Sequence, residues 1–350
     1  MKIDVAQRRD TILKIVIDYY ISTGSPVSSR TICTKYKIRL CPASVRNVLA
    51  DLEEQGFITH LHTSAGRIPT DKGYRYYVDK LIKYSGITPQ EHVQINKEYL
   101  SKHLAQEQIM RNTSKLLSNL TSYAAVVSHP EIRRTTFKHI QFTLLDPKKV
   151  CVTLIANTGM VKNSVVRFEI EIDKGKLQKI QNLMNSKLED TPLSHIKMKL
   201  REMMIQEKNA FFQILQQAIN IVDLSSIIDD DMRFYLEGIS KVLDFPEFKD
   251  SETARSLIKA LDEKITLSDM VHDLITQVPI QRSPRVFIGQ ENADAWGENC
   301  SIIMSSYEVD DKTVGGIGLI GPKRMDYGKA IAVVQYVSDM LSEELNRFSI

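Results

Sequence analysis

The chain has 350 residues, 43% hydrophobic and 25% charged, with a net charge of +3. That length predicts two or three domains with sizeable cores, and no apolar run reaches the roughly 18–20 residues of a membrane span. The N-terminus, MKIDVAQRRDTIL, lacks an apolar secretory core, and four scattered cysteines (Cys33, Cys41, Cys151, Cys300) argue against a disulfide framework or structural zinc and for a reducing cytoplasm.

The charge is uneven. Residues 1–90 hold 14 Lys+Arg and 8 Asp+Glu, a balance of +6, and the remainder balances at −3. A basic N-terminal module on a slightly acidic body points to a polyanion partner for the first part only. The bland alternative is chance fluctuation, since +6 over 90 residues is modest.

The first predicted helix runs from about Val5 to Ser22, with Ile12, Leu13, Val16, Ile17 and Tyr20 on one stripe. Gly24 ends it. Ser28 is placed to cap a second helix, which reaches about Tyr36. A third spans about Pro42 to Gln55, with Pro42 at its tolerant first position. Val45, Val48, Leu49 and Leu52 face inward; Ser44, Arg46 and Asn47 face out. After Gly56, Phe57–Leu61 reads as a strand, Thr63–Gly66 as a turn and Arg67–Pro69 as the return. Thr70 caps a fourth helix, from Asp71 to about Tyr84.

Helix, helix, helix, hairpin is the pattern of a winged helix-turn-helix, whose third helix reads base edges in the major groove. Arg46 suits guanine and Asn47 suits adenine, at roughly 1–3 kcal/mol of discrimination per good bidentate pair. Ser44 suits a base or a phosphate. Ser29 and Arg30, opening the second helix, are phosphate candidates, and Arg67 is placed at the wing tip, within reach of a phosphate or a minor groove. The bland alternative for Arg46 and Asn47 is the solvated side of an amphipathic helix. His60 and His62 share a strand face but have no third or fourth ligand nearby for a metal. Cys33 reads as a packed thiol and Cys41 as a helix-start residue.

TGSPVSSR (Thr23–Arg30), ASVRNVLADLEEQG (Ala43–Gly56) and HTSAGRIPTDKGYRYYVD (His62–Asp79) closely resemble the N-terminus of the heat-inducible transcription repressor family, HrcA. The likeness returns in VFIGQEN (Val286–Asn292) and GGIGLIGPKRMDY (Gly315–Tyr327), so it spans nearly the whole chain. One departure is Cys41, where the family usually has a capping Ser; a thiol caps less firmly, by under about 1 kcal/mol. The resemblance implies a dimeric repressor of chaperone operons that binds the CIRCE inverted repeat and reaches its active fold with a GroEL-type chaperonin. It also implies a GAF-like domain carrying an inserted dimerising domain.

Past Ser85–Gly86 the composition shifts. Residues 89–127 read as polar and helical, a linker helix that forms a dimer contact or packs on its own domain. Strands follow from Phe137 to about residue 171, with turns at Asp146–Lys149 and Asn157–Gly159. Helices are predicted over 176–220, a short strand near Met232–Tyr235, and helices again to about Ile275. Strands return at 285–288, 301–308 and 313–320, and a helix at 327–346. A sheet begun, interrupted and completed suggests an α+β fold with an insertion. The expected division is a winged helix-turn-helix at 1–88, a linker helix and first GAF-like part at 89–175, a mainly helical insertion at 176–254 and a second GAF-like part at 255–350.

Gly316–Gly321 matches G-x-G-x-x-G but lies in or at the end of an apolar strand followed by Pro322, so a tight strand edge or turn explains it better than a nucleotide site. Trp296 and its loop read as a loop anchor or a pocket lining. No Ser-His-Asp, paired-carboxylate or HExxH arrangement supports an enzyme, and no cofactor or metal site is assigned. The alternative function is a metabolite-responsive winged-helix regulator with a ligand-binding GAF-like domain.

Overall fold

The computed structural model describes residues 5–36, 38, 40–60, 66–82, 86–100, 106–130, 136–157, 159, 161–168, 171, 173–196, 198–199, 234–262, 283–295, 298–309 and 312–347. It opens with α1 (Val5–Thr23), α2 (Ser29–Lys35) and α3 (Pro42–Glu54). α1 buries Ile12, Leu13, Val16 and Ile17 as one stripe. It stops where Gly24 donates its N–H back to the Tyr20 carbonyl at 2.8 Å. Ser28 caps α2 by accepting from the Thr31 N–H at 3.1 Å. Val45, Leu49 and Leu52 turn α3 into the same core, with Val48 half-buried. Leu52→Ala is expected to cost about 2–5 kcal/mol, because Leu52 has no exposed surface and its cavity would not collapse. The shift of the denaturant midpoint measures it.

An antiparallel ribbon follows. β1 (Ile58–His60) pairs with β2 (Arg67–Pro69) in the register Ile58–Pro69, Thr59–Ile68, His60–Arg67. Thr70 caps α4 (Asp71–Tyr76) through the Gly73 N–H at 3.1 Å. The helix predicted to continue to about Tyr84 instead winds into a π-helical turn over Tyr77–Leu81, closed by the Ile82 N–H on the Tyr77 carbonyl.

The body begins with α5 (Pro89–Leu100) and α6 (Gln106–Thr121). α6 buries Leu116, Leu117 and Leu120 in the body's own core, so packing on its own domain is the arrangement found. The helical expectation for residues 89–127 fails at its end, because Ala124–Ser128 is a strand, β3. All five residues are buried, and a short apolar run carries no period that separates a strand from a helix.

The larger correction concerns the strands after Phe137. β4 (Phe137–Asp146), β5 (Lys149–Ala156) and β6 (Val161–Arg167) form a three-stranded antiparallel sheet of their own. They do not begin the sheet that the C-terminal strands complete. One face is covered by α7 (Lys174–Leu188), whose Leu177, Ile180, Met184 and Leu188 close a separate core over Phe137, Ile140, Val150, Val152 and Leu154. The main sheet is five-stranded and antiparallel. Its order is β7 (Phe234–Glu237), β3, β10 (Lys312–Pro322), β9 (Cys300–Val309), β8 (Arg285–Ile288). The chain leaves this sheet after Ser128 and rejoins it at Phe234. β4–β6 and α7 fall between these two points of the chain. Of the helices predicted over 176–220 and up to Ile275, the parts at 201–233 and 263–282 lie outside the described residues.

Alternation splits the main sheet between two cores. Ala125, Val127, Ile303, Ile317 and Leu319 face α6 and α10 (Tyr327–Asn346). Ala124, Val126, Ile302, Met304 and Ile320 face α8 (Ile239–Leu243), Phe248 and α9 (Ser251–Asp262). Gly316–Gly321 lies inside β10, paired with Ser306–Ser301 on one side and β3 on the other. It is an interior strand, where an edge or turn was expected.

α5 is tied to α10 by Glu91, which accepts from the Thr88 N–H at 2.9 Å and pairs with Lys329 at 2.9 Å. These two partners hold its carboxyl down at about 2 from an ordinary 4.5. The folded value lies below the unfolded one, so the stabilisation is present above about pH 4.5 and is lost as pH falls toward 2. Glu91→Gln is expected to flatten the stability profile in that window, as an acid titration of both proteins would record.

Candidate nucleic-acid interface

α3 divides cleanly between core and solvent. Val45, Leu49 and Leu52 are buried, whereas Arg46 and Asn47 are exposed in its first two turns. Ser44, half-buried, stands one turn in from Cys41, with Oγ 3.2 Å from Sγ. Cys41 makes no side-chain capping bond to α3, as expected for a thiol. The Ser44 hydroxyl and N–H beside it hold the thiol below its ordinary pKa. Cys41→Ser is expected to raise stability by up to about 1 kcal/mol through a firmer cap. A thermal melt reads this directly, and a lower melting temperature would show that the thiol contributes something a hydroxyl does not.

Arg30 is exposed and Ser29 half-buried at the start of α2, with the capping done by Ser28. Ser29, Arg30, Ser44, Arg46 and Asn47 thus lie on the first turns of the second and third helices. Arg67, expected at the wing tip, is engaged within the module. It pairs with His60 at the described end of the ribbon, and Nη2 donates to Glu53 Oε2 at 2.7 Å. Its backbone is also committed: the Arg67 N–H donates to the Val27 carbonyl at 2.8 Å and its carbonyl accepts from the Val27 N–H at 3.0 Å. Gly66 allows this approach, since a Cβ there would fall 2.6 Å from the Val27 backbone. The ribbon's return strand is therefore stitched to the segment entering α2.

Glu53 is the residue that sequence reasoning missed. At the end of α3 it accepts from Arg67 and also faces His60 Nδ1, so one carboxylate joins the helix to both strands. Nothing in the spacing of residues 53, 60 and 67 signals this, because the contact forms only once the ribbon folds back. His60 meets Glu53, while His62 lies outside the described residues, as does Trp296. Cys33 is half-buried with its thiol 3.6 Å from the Leu40 carbonyl, a packed thiol as expected.

A helix with Arg46 and Asn47 turned outward, braced by a ribbon and carried on a mixed helix-and-sheet body, is an arrangement that DNA-binding transcription regulators use. Comparison with known proteins narrows it. Residues 107–331 match the family described as HrcA protein C terminal domain. The chain is 35% identical to the heat-inducible transcription repressor HrcA of Geobacter sulfurreducens, over 98% of this chain and 98% of the relative. It is 34% identical to the HrcA of Brevibacillus brevis, over 97% of this chain and 98% of the relative. The chain belongs to the HrcA family of heat-inducible transcription repressors. A crystal structure of a hypothetical protein at 2.2 Å resolution shares the fold, with a TM-score of 0.62 over 99% of this chain and 100% of that one at 21% identity. No helix among the described residues is long and apolar enough to cross a membrane.

Proposed function

We propose that this heat-shock repressor works in the cytoplasm as a homodimer whose two N-terminal modules, each a winged helix-turn-helix of residues 1–88, bind the two arms of the CIRCE inverted repeat. The observation that carries this reading is the exposed Arg46–Asn47 pair on α3, facing away from a core made by Val45, Leu49 and Leu52. Arg46 reads guanine and Asn47 adenine. Ser29, Arg30 and Ser44 take phosphate or base contacts nearby. Arg67 holds the wing against α3 through Glu53 and lends its charge to the DNA backbone. A two-fold protein matches a two-fold site.

The body is GAF-like, and the insertion between Ser128 and Phe234 supplies the dimer contact. Its three-stranded sheet is covered by α7 on one face, and Leu145, Val161 and Val165 are 56%, 55% and 57% exposed. A GroEL-type chaperonin promotes the active fold, so repression lifts when heat-unfolded chains occupy it. A footprint tests the DNA reading. Purified protein should protect both arms of the repeat, and protection of neither above random sequence would refute it.

One observation favours a second reading. A cavity of about 450 Å³ lies among Ile87, His92, Tyr336, Gln335 and Asp339, between the approach to α5 and the middle of α10. It suits a small metabolite as regulator of the same repressor. A metabolite that raises the melting temperature would support this, and a flat screen would remove it.

A further inference from the structure

Residues 71–75, 286–291 and 323–327 meet at one seam between the N-terminal module and the body. α4 supplies the module's side. Arg75 Nε donates to Glu291 Oε1 at 2.8 Å while Nη2 reaches Glu291 Oε2, a two-bond fork. The same Nη2 donates to the Val286 carbonyl at 2.6 Å, on edge strand β8. Asp71 accepts from Lys323 Nζ at 2.7 Å and from the Gln290 N–H at 3.2 Å. Gly289 has a φ of +52°, and a Cβ there would fall 2.1 Å from the Asp71 carboxylate, so the close approach is built into the backbone. Arg324 pairs with Glu247 and donates to the Ile21 carbonyl of α1 at 3.4 Å. The Tyr74 and Tyr327 rings lie 5.9 Å apart beneath these polar groups.

We infer that Asp71, Arg75, Lys323 and Glu291 are positioning residues that set the angle of each reading module on the body, and so select the spacing between the two operator arms. Apolar packing alone resists separation but tolerates sliding. A carboxylate fork, a backbone carbonyl and a backbone N–H are directional, and together they fix an orientation. None of the seam residues lies in α3 or the ribbon, so the reading face stays open while its pose is held. If the body is the two-fold element, the pose of each module dictates where its helix meets DNA, and half-site separation becomes a property of this seam. The inference rests on the dimeric reading proposed above.

The test uses the full-length protein, with Arg75→Ala and Lys323→Ala as variants. Binding is measured to three duplexes: the inverted repeat, the same repeat with its spacer lengthened by about half a helical turn, roughly five base pairs, and a single arm. Wild type should prefer the natural spacing strongly. The variants should bind the natural repeat about tenfold more weakly, bind the single arm as wild type does, and lose most of the spacing preference, because a loosely held module lowers effective concentration at one spacing and gains reach at others. Variants that keep the wild-type ratio between the two spacings would overturn the inference. So would a parallel loss on the single arm, which marks damage to the module itself. If wild type shows no preference for two arms over one, the dimeric reading fails and this inference with it, a result separable from failure of the seam alone.

Discussion

Alanine at Arg46 is expected to weaken binding to the inverted repeat by roughly 1–3 kcal/mol per arm, felt twice in a two-armed complex. The direction follows from exposure. Arg46 lies outside the core and bonds to none of the described residues, so truncation should remove only what it offers to DNA and leave the fold intact. Anisotropy should show the affinity loss with an unchanged melting temperature, and a relaxed preference at the guanine that the proposal gives to Arg46. Unchanged affinity would take Arg46 out of the reading helix. Arg67→Ala should behave differently. It removes the Glu53 pairing that braces the ribbon, so it should lower affinity across all sequences, flatten the salt dependence by about one phosphate contact and destabilise the free protein slightly. Loss of specificity equal to that of Arg46→Ala would show that this division of roles is wrong.

A charge on the open face of the inserted sheet should have an effect at least as large. Val165 is 57% exposed on β6, opposite Cys151 on β5, and shares that face with Val161 beside Ile155. Val165→Asp costs the monomer little, because the side chain is not in the core under α7. Across a self-complementary interface it leaves an uncompensated carboxylate from each copy in an apolar contact. The expected result is a monomer by sedimentation and a loss of about 10²–10⁴ in operator affinity, which is what tethering two modules supplies. A variant that sediments as a dimer and binds like wild type would place the dimer contact elsewhere.

The N-terminal module was legible because local chemistry and global packing agree there. The α1 stripe, the Ser28 and Thr70 caps, Pro42 at the start of α3 and the inward set Val45, Leu49 and Leu52 each follow from short-range rules. The outward set Ser44, Arg46 and Asn47 follows from the same periodicity. What was not legible is long-range. β3 lies between β7 and β10, partners about 110 and 190 residues away along the chain, and its all-buried AAVVS run has no alternation to reveal a strand. β4–β6 look like the opening of the main sheet because strand patterns do not say which sheet they join. The Glu53–Arg67 pair and the seam of Arg75 with Glu291 are contacts that no local spacing in the sequence announces. Glycines 316, 318 and 321 suggested a strand edge or turn, whereas β10 is paired on both sides.

Two modules are proposed to read the two arms of one site. Fluorescence anisotropy tests this most directly, with a labelled CIRCE duplex against the same duplex with one arm scrambled, over a range of salt and with and without chaperonin. Tight binding that needs both arms, weakens steeply with salt and strengthens with chaperonin is the result expected. Weak and equal binding to both duplexes in every condition would contradict it and leave only a basic module of no particular sequence preference.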